Sequence, residues 1–185
     1  MLVDKDDFWS WKLCGSVYFN SKESTSSKKV GVFVWRVRWE RLPGLSELDK
    51  RGIDLHSVLC PLCDDAVETV DHALFSCKKV REIWDKVFKW WGFVYNQQSL
   101  HNILNGSSRV QCSENDVKIW QAMIWVSVYL IWKNRDNKVF KKSSWSPPIA
   151  LCDIQVKSFE WIRKRCNKVN IEWLDWLHNP HVLVL

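Results

Sequence analysis

Residues 60–77 read CPLCDDAVETVDHALFSC, and this stretch decides how the chain is held together. It sets Cys60, Cys63, His72 and Cys77 in the pattern Cys-x2-Cys-x8-His-x4-Cys. Two cysteines with two residues between them can face one ion from a tight loop, and Pro61 stiffens that loop. His72 and Cys77 lie about one helical turn apart, so both can face the same ion. Three thiolates and one imidazole meet the tetrahedral demand of Zn²⁺, and soft sulfur argues against Ca²⁺ or Mg²⁺. The competing view is four separately buried residues, or a disulfide. A catalytic zinc keeps one position open beside three protein ligands. Here the protein fills all four, so the pattern predicts one structural Zn²⁺ that pins the 53–63 loop onto a helix starting near Thr69.

Helical periodicity flanks the stretch on both sides. Val30, Phe33, Val34 and Val37 repeat at helical spacing and predict a helix over 30–41, closed by Pro43-Gly44. A short second helix follows, with Leu45 and Leu48 inward and Gly52 at its C-terminal end. After the Cys/His stretch, Val80, Ile83, Trp84, Val87 and Trp91 form one apolar stripe that Gly92 ends. Residues 93–112 are irregular. Ser113 offers an N-cap, with Asp116 three residues on, for a long helix through Trp120, Ile124 and Ile131. Pro147-Pro148 opens a helix carrying Leu151, Ile154, Ser158 and Trp161. Trp173, Trp176 and Leu177 predict a short closing helix. At the other end, the alternation in 8–19, with a turn at Gly15-Ser16, predicts a small β-hairpin, and the polar 20–29 stretch a loop.

The expected fold is therefore mainly α with an N-terminal β-hairpin. It divides into a hairpin and Ser-rich loop (1–29), a zinc-binding domain (30–92) and a Trp-rich basic helical region packed on it (93–185). Its 185 residues suffice for a real core, and 46% hydrophobic with 26% charged residues is ordinary for a globular protein. Fourteen tryptophans are not ordinary. Trp84, Trp91, Trp120 and Trp161 fall on apolar faces and read as core, whereas Trp90 and Trp145 are candidates for exposure and base stacking. The acidic N-terminus lacks a signal-peptide core, so the seven cysteines are expected to be intracellular and reduced. Cys14, Cys112, Cys152 and Cys166 read as small core residues. The apolar run from Ile119 to Trp132 is shorter than the ~20 residues of a membrane span and reads as a buried helix.

Net charge is +6, and its excess is C-terminal: 12 Lys/Arg against 7 Asp/Glu over 96–185, but 15 against 14 over 1–95. Between the four ligand candidates lie Asp64, Asp65, Glu68 and Asp71 and no Lys or Arg. A phosphate backbone would be repelled there. Any nucleic acid is expected to meet Lys50, Arg51, Lys78, Lys79 and Arg81 beside the loop, or Arg163, Lys164 and Arg165 downstream. Lys133, Arg135, Lys138, Lys141 and Lys142 form a second basic set. Solvated helix faces are the competing view of all of these.

The motifs Val32-Phe33-Val34-Trp35-Arg36, Leu42-Pro43, Arg51-Gly52-Ile53, Cys60-Pro61-Leu62-Cys63, Glu68, His72, Cys77 and Trp84 resemble the zinc-binding domain after the reverse transcriptase in plant LINE-type (non-LTR) retrotransposons. Ile131 to Phe140, Ser158 to Trp161 and Trp173 to Leu177 resemble the Trp-rich end of the same polyproteins. The resemblance implies a polyprotein tail that helps hold element RNA or target DNA beside the polymerase domain, in the nucleus. The chain lacks the acidic strand turns a polymerase needs, since Asp64-Asp65 lies inside the Cys/His loop without apolar strand flanks. No residue is assigned a catalytic role. Three functions compete: a nucleic-acid-binding module, a module that docks the polymerase, and an inert relic.

Overall fold

The computed structural model describes residues 12–13, 17–18, 25–92, 114–141, 146–165, 171–178 and 180. They are mostly helical. Helix α1 spans Thr25–Arg38, α2 Leu45–Lys50 and α3 Lys78–Trp90; α4 spans Glu114–Lys141, α5 Pro147–Arg165 and α6 Trp173–His178. One turn of π-helix, His72–Ser76, precedes α3. Near the N-terminus, β1 (Lys12–Leu13) and β2 (Val17–Tyr18) pair antiparallel, two residues a side. The rest of the expected 8–19 hairpin lies outside the described residues, and a hairpin of that extent is not supported.

Helix α1 starts earlier than its apolar stripe, taking in five residues of the expected Ser-rich loop. Ser and Thr suit helix starts, so a polar run leading into an apolar stripe is compatible with a first turn. The helix also stops earlier, before Pro43-Gly44 is reached. Glu40 adopts a left-handed φ of 51°, and Arg41 N–H bonds back to the Arg36 carbonyl (2.8 Å) while Glu40 N–H bonds to that of Val37 (3.0 Å). This is a Schellman cap built on a residue other than glycine, at a cost of about 1 kcal/mol. Gly52 (φ 77°) closes α2 with the same pair of bonds, Ile53 to Leu48 and Gly52 to Asp49.

Val30, Phe33, Val34 and Val37 of α1 are buried, as are Val80, Ile83, Trp84 and Val87 of α3 and Trp91 just beyond it. Helix α1 packs on the central helix α4, which also packs against α5 and the π-turn; α3 packs on α5 and the π-turn, and α5 contacts α6. Rings fasten the far end. Trp91 stands edge-on to Trp120 of α4 at 4.9 Å and to Trp176 of α6 at 5.9 Å, and Phe88 meets Trp120 at 5.4 Å. Each such pair adds about 0.5–1.5 kcal/mol beyond its burial. Trp161 is buried as well.

Four side chains depart from expectation. Trp90 is half-buried, not exposed: its indole N–H reaches the carbonyls of Trp176 (3.2 Å) and Leu177 (2.9 Å) and so holds the end of α6. Cys152 is exposed on α5 and is not a core residue. Leu45 and Leu48 are only half-buried. Trp145, Cys14, Cys112, Cys166, Lys142, Ser113 and the 93–112 stretch lie outside the described residues. No described helix is long and apolar enough to cross a membrane.

Candidate metal centre

Backbone hydrogen bonds shape the first half of the centre. Cys60 N–H bonds to the Ala66 carbonyl (2.8 Å), Glu68 N–H to that of Val58 (2.9 Å) and Asp64 N–H to that of Cys60 (2.8 Å). Leu59 and Val67 form an isolated antiparallel bridge at the base. The chain reverses sharply at Asp64, where φ is 54°, a value Asp tolerates better than most side chains. Cys60 is buried and Cys63 half-buried within this loop.

The π-turn shapes the second half. Thr69 caps it, its hydroxyl accepting the His72 N–H at 3.0 Å. In an α-helix, residues five apart point about 140° away from each other. Here Cys77 N–H bonds to the His72 carbonyl at 3.0 Å, so the turn closes over five residues and brings Cys77 above His72. Trp84 braces this wide turn. Its indole N–H donates to the Leu74 carbonyl at 2.8 Å and its ring stacks on Phe75 at 5.2 Å.

All four donor atoms lie within 4.8 Å of one another. The Cys60 and Cys77 sulfurs are 3.9 Å apart, and the Cys63 sulfur is 3.3 Å from His72 Nε2. Tetrahedral Zn²⁺ with ordinary bond lengths requires about 3.8 Å between two sulfurs and about 3.5 Å between sulfur and nitrogen. The donor set therefore fits one zinc ion, with His72 offering Nε2.

The thiols already carry the electrostatics of such a site. The contact with Cys60, opposed by burial and helped by the N–H groups of Val80 and Lys79 at the start of α3, lowers Cys77 to about 5. The same contact, with burial, pushes Cys60 well above the ordinary thiol range. A divalent cation bound here would displace thiol protons.

Residues 11–84 match the family model described as zinc-binding in reverse transcriptase. The matched zinc-binding segment contains all four donors together with Glu68 and Trp84. It leaves α4, α5 and α6 outside. No curated protein and no solved structure matches the chain.

An ion pair that the sequence did not disclose joins this segment to α4. Glu68, counted among the acidic loop residues, is fully buried and receives Arg135 of α4: Nε donates to Oε1 at 2.7 Å, and a second guanidinium nitrogen to Oε2. Oε2 also accepts the Leu45 N–H at the start of α2, at 3.0 Å. Arg135 in turn lies 4.9 Å from the centre of the Trp132 ring and bonds Asp136 at 2.9 Å. Burial works against its charge, but the bonds and charge of Glu68 outweigh burial and hold the guanidinium above its usual range. Arg135 is therefore not a solvent-facing phosphate contact, and Glu68 does not make the loop surface acidic. Asp65 is partly offset too, by Lys78 at 3.2 Å, which raises the Lys78 ammonium.

The other basic candidates remain on the surface. Lys50 pairs with Glu47 (2.7 Å) and Lys79 with Glu82 (3.6 Å), while Arg51, Arg81, Arg163 and Lys164 are exposed. Exposed pairs of this kind are worth little and open readily to a competing phosphate. The Arg165 side chain lies outside the described residues. The sequence reading missed Trp39, a residue 63% exposed. It lies one residue beyond α1, outside the buried stripe, and that offset was the available signal.

Proposed function

We propose that this chain is a zinc-stabilised, non-catalytic module that binds nucleic acid as the C-terminal portion of a plant LINE-type reverse-transcriptase polyprotein. The gathering of Cys60, Cys63, His72 and Cys77 within the segment that matches a reverse-transcriptase zinc-binding family carries the proposal. These four hold one structural Zn²⁺. A set filled by four protein donors leaves no position for a substrate or an activated water, so the metal supports shape and not turnover. The division into residues 1–29, 30–92 and 93–185 belongs to the same proposal, as does nuclear residence.

Element RNA or target DNA would meet Lys50, Arg51, Lys78, Lys79 and Arg81 around the centre, and Arg163, Lys164 and Arg165 on α5. Binding through phosphates weakens steeply with salt. The test is retention of labelled RNA and DNA by zinc-loaded protein across a salt series. Salt-sensitive retention supports the proposal, and no retention at low ionic strength overturns it.

A second possibility draws on Leu59 and Val67, which are paired at the base of the centre and exposed. Exposed apolar residues beside a rigid loop suit a docking contact with the polymerase domain. Nuclease-insensitive co-purification with a polymerase fragment would favour docking over nucleic-acid binding.

A further inference from the structure

We infer that the solvent face at the C-terminal end of α1 is a stacking site for single-stranded nucleic acid, with Trp39 as its platform and Arg36 and Arg41 as its phosphate contacts. This rests on the nucleic-acid function proposed above and assigns it a site separate from the basic residues beside the metal centre.

Four observations carry it. Lys29, Val32, Arg36 and Trp39 follow one another at three- and four-residue steps and are all exposed, so they share one side of α1. Trp39 keeps helical geometry, since its N–H bonds to the Trp35 carbonyl at 3.2 Å, yet 63% of it faces solvent. With Val32, it gives this side of α1 two exposed apolar side chains beside Arg36. The Schellman cap at Glu40 then turns the chain so that Arg41 lies 5.5 Å from the centre of the Trp35 ring, beside the same face. The two hydrogen bonds of the cap hold this arrangement. Finally, among the described side chains of 25–41 the exposed charges are Lys29, Arg36 and Arg41 against Glu40, an excess of cations. An aromatic ring flanked by cations complements an unstacked base and its neighbouring phosphates. A base-paired duplex offers no free ring face, so single strands are the favoured occupant.

The test is fluorescence anisotropy of zinc-loaded full chain with a labelled single-stranded oligonucleotide, across a salt series, with the duplex in parallel. Trp39→Ala should weaken single-strand binding roughly 5- to 100-fold with the salt slope unchanged, and Trp39→Phe should retain most of it. Arg36→Ala should lower the slope by about 0.7, the signature of one lost phosphate contact. Retained zinc content and circular dichroism identify variants that remain folded. If the wild type binds single strands and Trp39→Ala binds them equally well, the stacking site is overturned while the broader function stands. A wild type that binds duplex more tightly than single strand also overturns the site. If the wild type binds no nucleic acid, the function and the site fall together.

Discussion

Replacing Glu68 by alanine should destabilise the protein more than any single exposed substitution. The carboxylate is fully buried, and it pairs with Arg135 through two hydrogen bonds and accepts the Leu45 N–H. Removing it leaves a buried guanidinium with only Asp136 as a carboxylate partner, at about 3–5 kcal/mol. The orphaned Leu45 N–H adds about 1 kcal/mol, because α2 is short and can open its first turn to water. A loss of about 4–6 kcal/mol corresponds to roughly 8–24 °C in Tm for a chain of this size. The assay is urea unfolding of the zinc-loaded protein, with Glu68→Leu, Arg135→Met and the Glu68→Leu/Arg135→Met double variant forming a cycle beside Glu68→Ala. The double variant should recover much of the loss, because apolar replacement of both partners removes the unpaired charge. A Glu68→Ala cost below about 1 kcal/mol, or a coupling energy near zero, would refute the idea that this pair joins the metal loop to α4.

Other consequences follow from the same contacts. Trp84→Ala should cost about 3–5 kcal/mol in denaturant unfolding and also speed zinc loss to a chelator, because it removes the brace on the π-turn that carries His72. A stability cost without faster zinc loss would separate Trp84 from the site. Glu40→Gly should stabilise by about 0.5–1 kcal/mol, since glycine takes a left-handed φ without strain; thermal melting of the two proteins checks it, and a lower Tm for the glycine variant argues against strain at this cap. Zinc affinity should rise with pH through neutrality and collapse in acid. Protons compete with the metal for the thiolates: at pH 7 zinc must displace the proton on Cys60, and below about 5 it must also displace one on Cys77. Chelator competition across that range measures the slope, and a flat profile would be inconsistent with thiolate ligation.

Helices α1 and α3 on either side of the centre were legible because each buries a stripe at one period. Val80, Ile83, Trp84 and Val87 could be read from their spacing, and Gly52 and Gly92 as stops, because both sit at left-handed φ. The start of α1 was not legible, since its first turns carry no apolar stripe. Its end was hidden because the left-handed residue is Glu40, a type that gives no stop signal. The four donors were legible as a set from spacing alone. What brings His72 and Cys77 onto one side was not, because a π-turn leaves no trace in composition. Glu68 and Arg135 escaped notice as partners because 67 positions separate them, and nothing local distinguishes a buried charge from a solvated one. Trp90 was misjudged for the same reason: its hydrogen-bond acceptors, Trp176 and Leu177, lie on α6, 86 and 87 positions further along the chain.

The most direct measurement is metal content under native conditions, by mass spectrometry of protein purified with reductant, alongside the spectrum of the cobalt(II)-substituted form. One zinc per chain is expected, with thiolate-to-cobalt charge transfer and tetrahedral ligand-field bands, and both should be lost or altered in Cys60→Ser, Cys63→Ser, His72→Ala and Cys77→Ser. A folded chain that holds no zinc, or one whose zinc is indifferent to these four substitutions, would contradict the account.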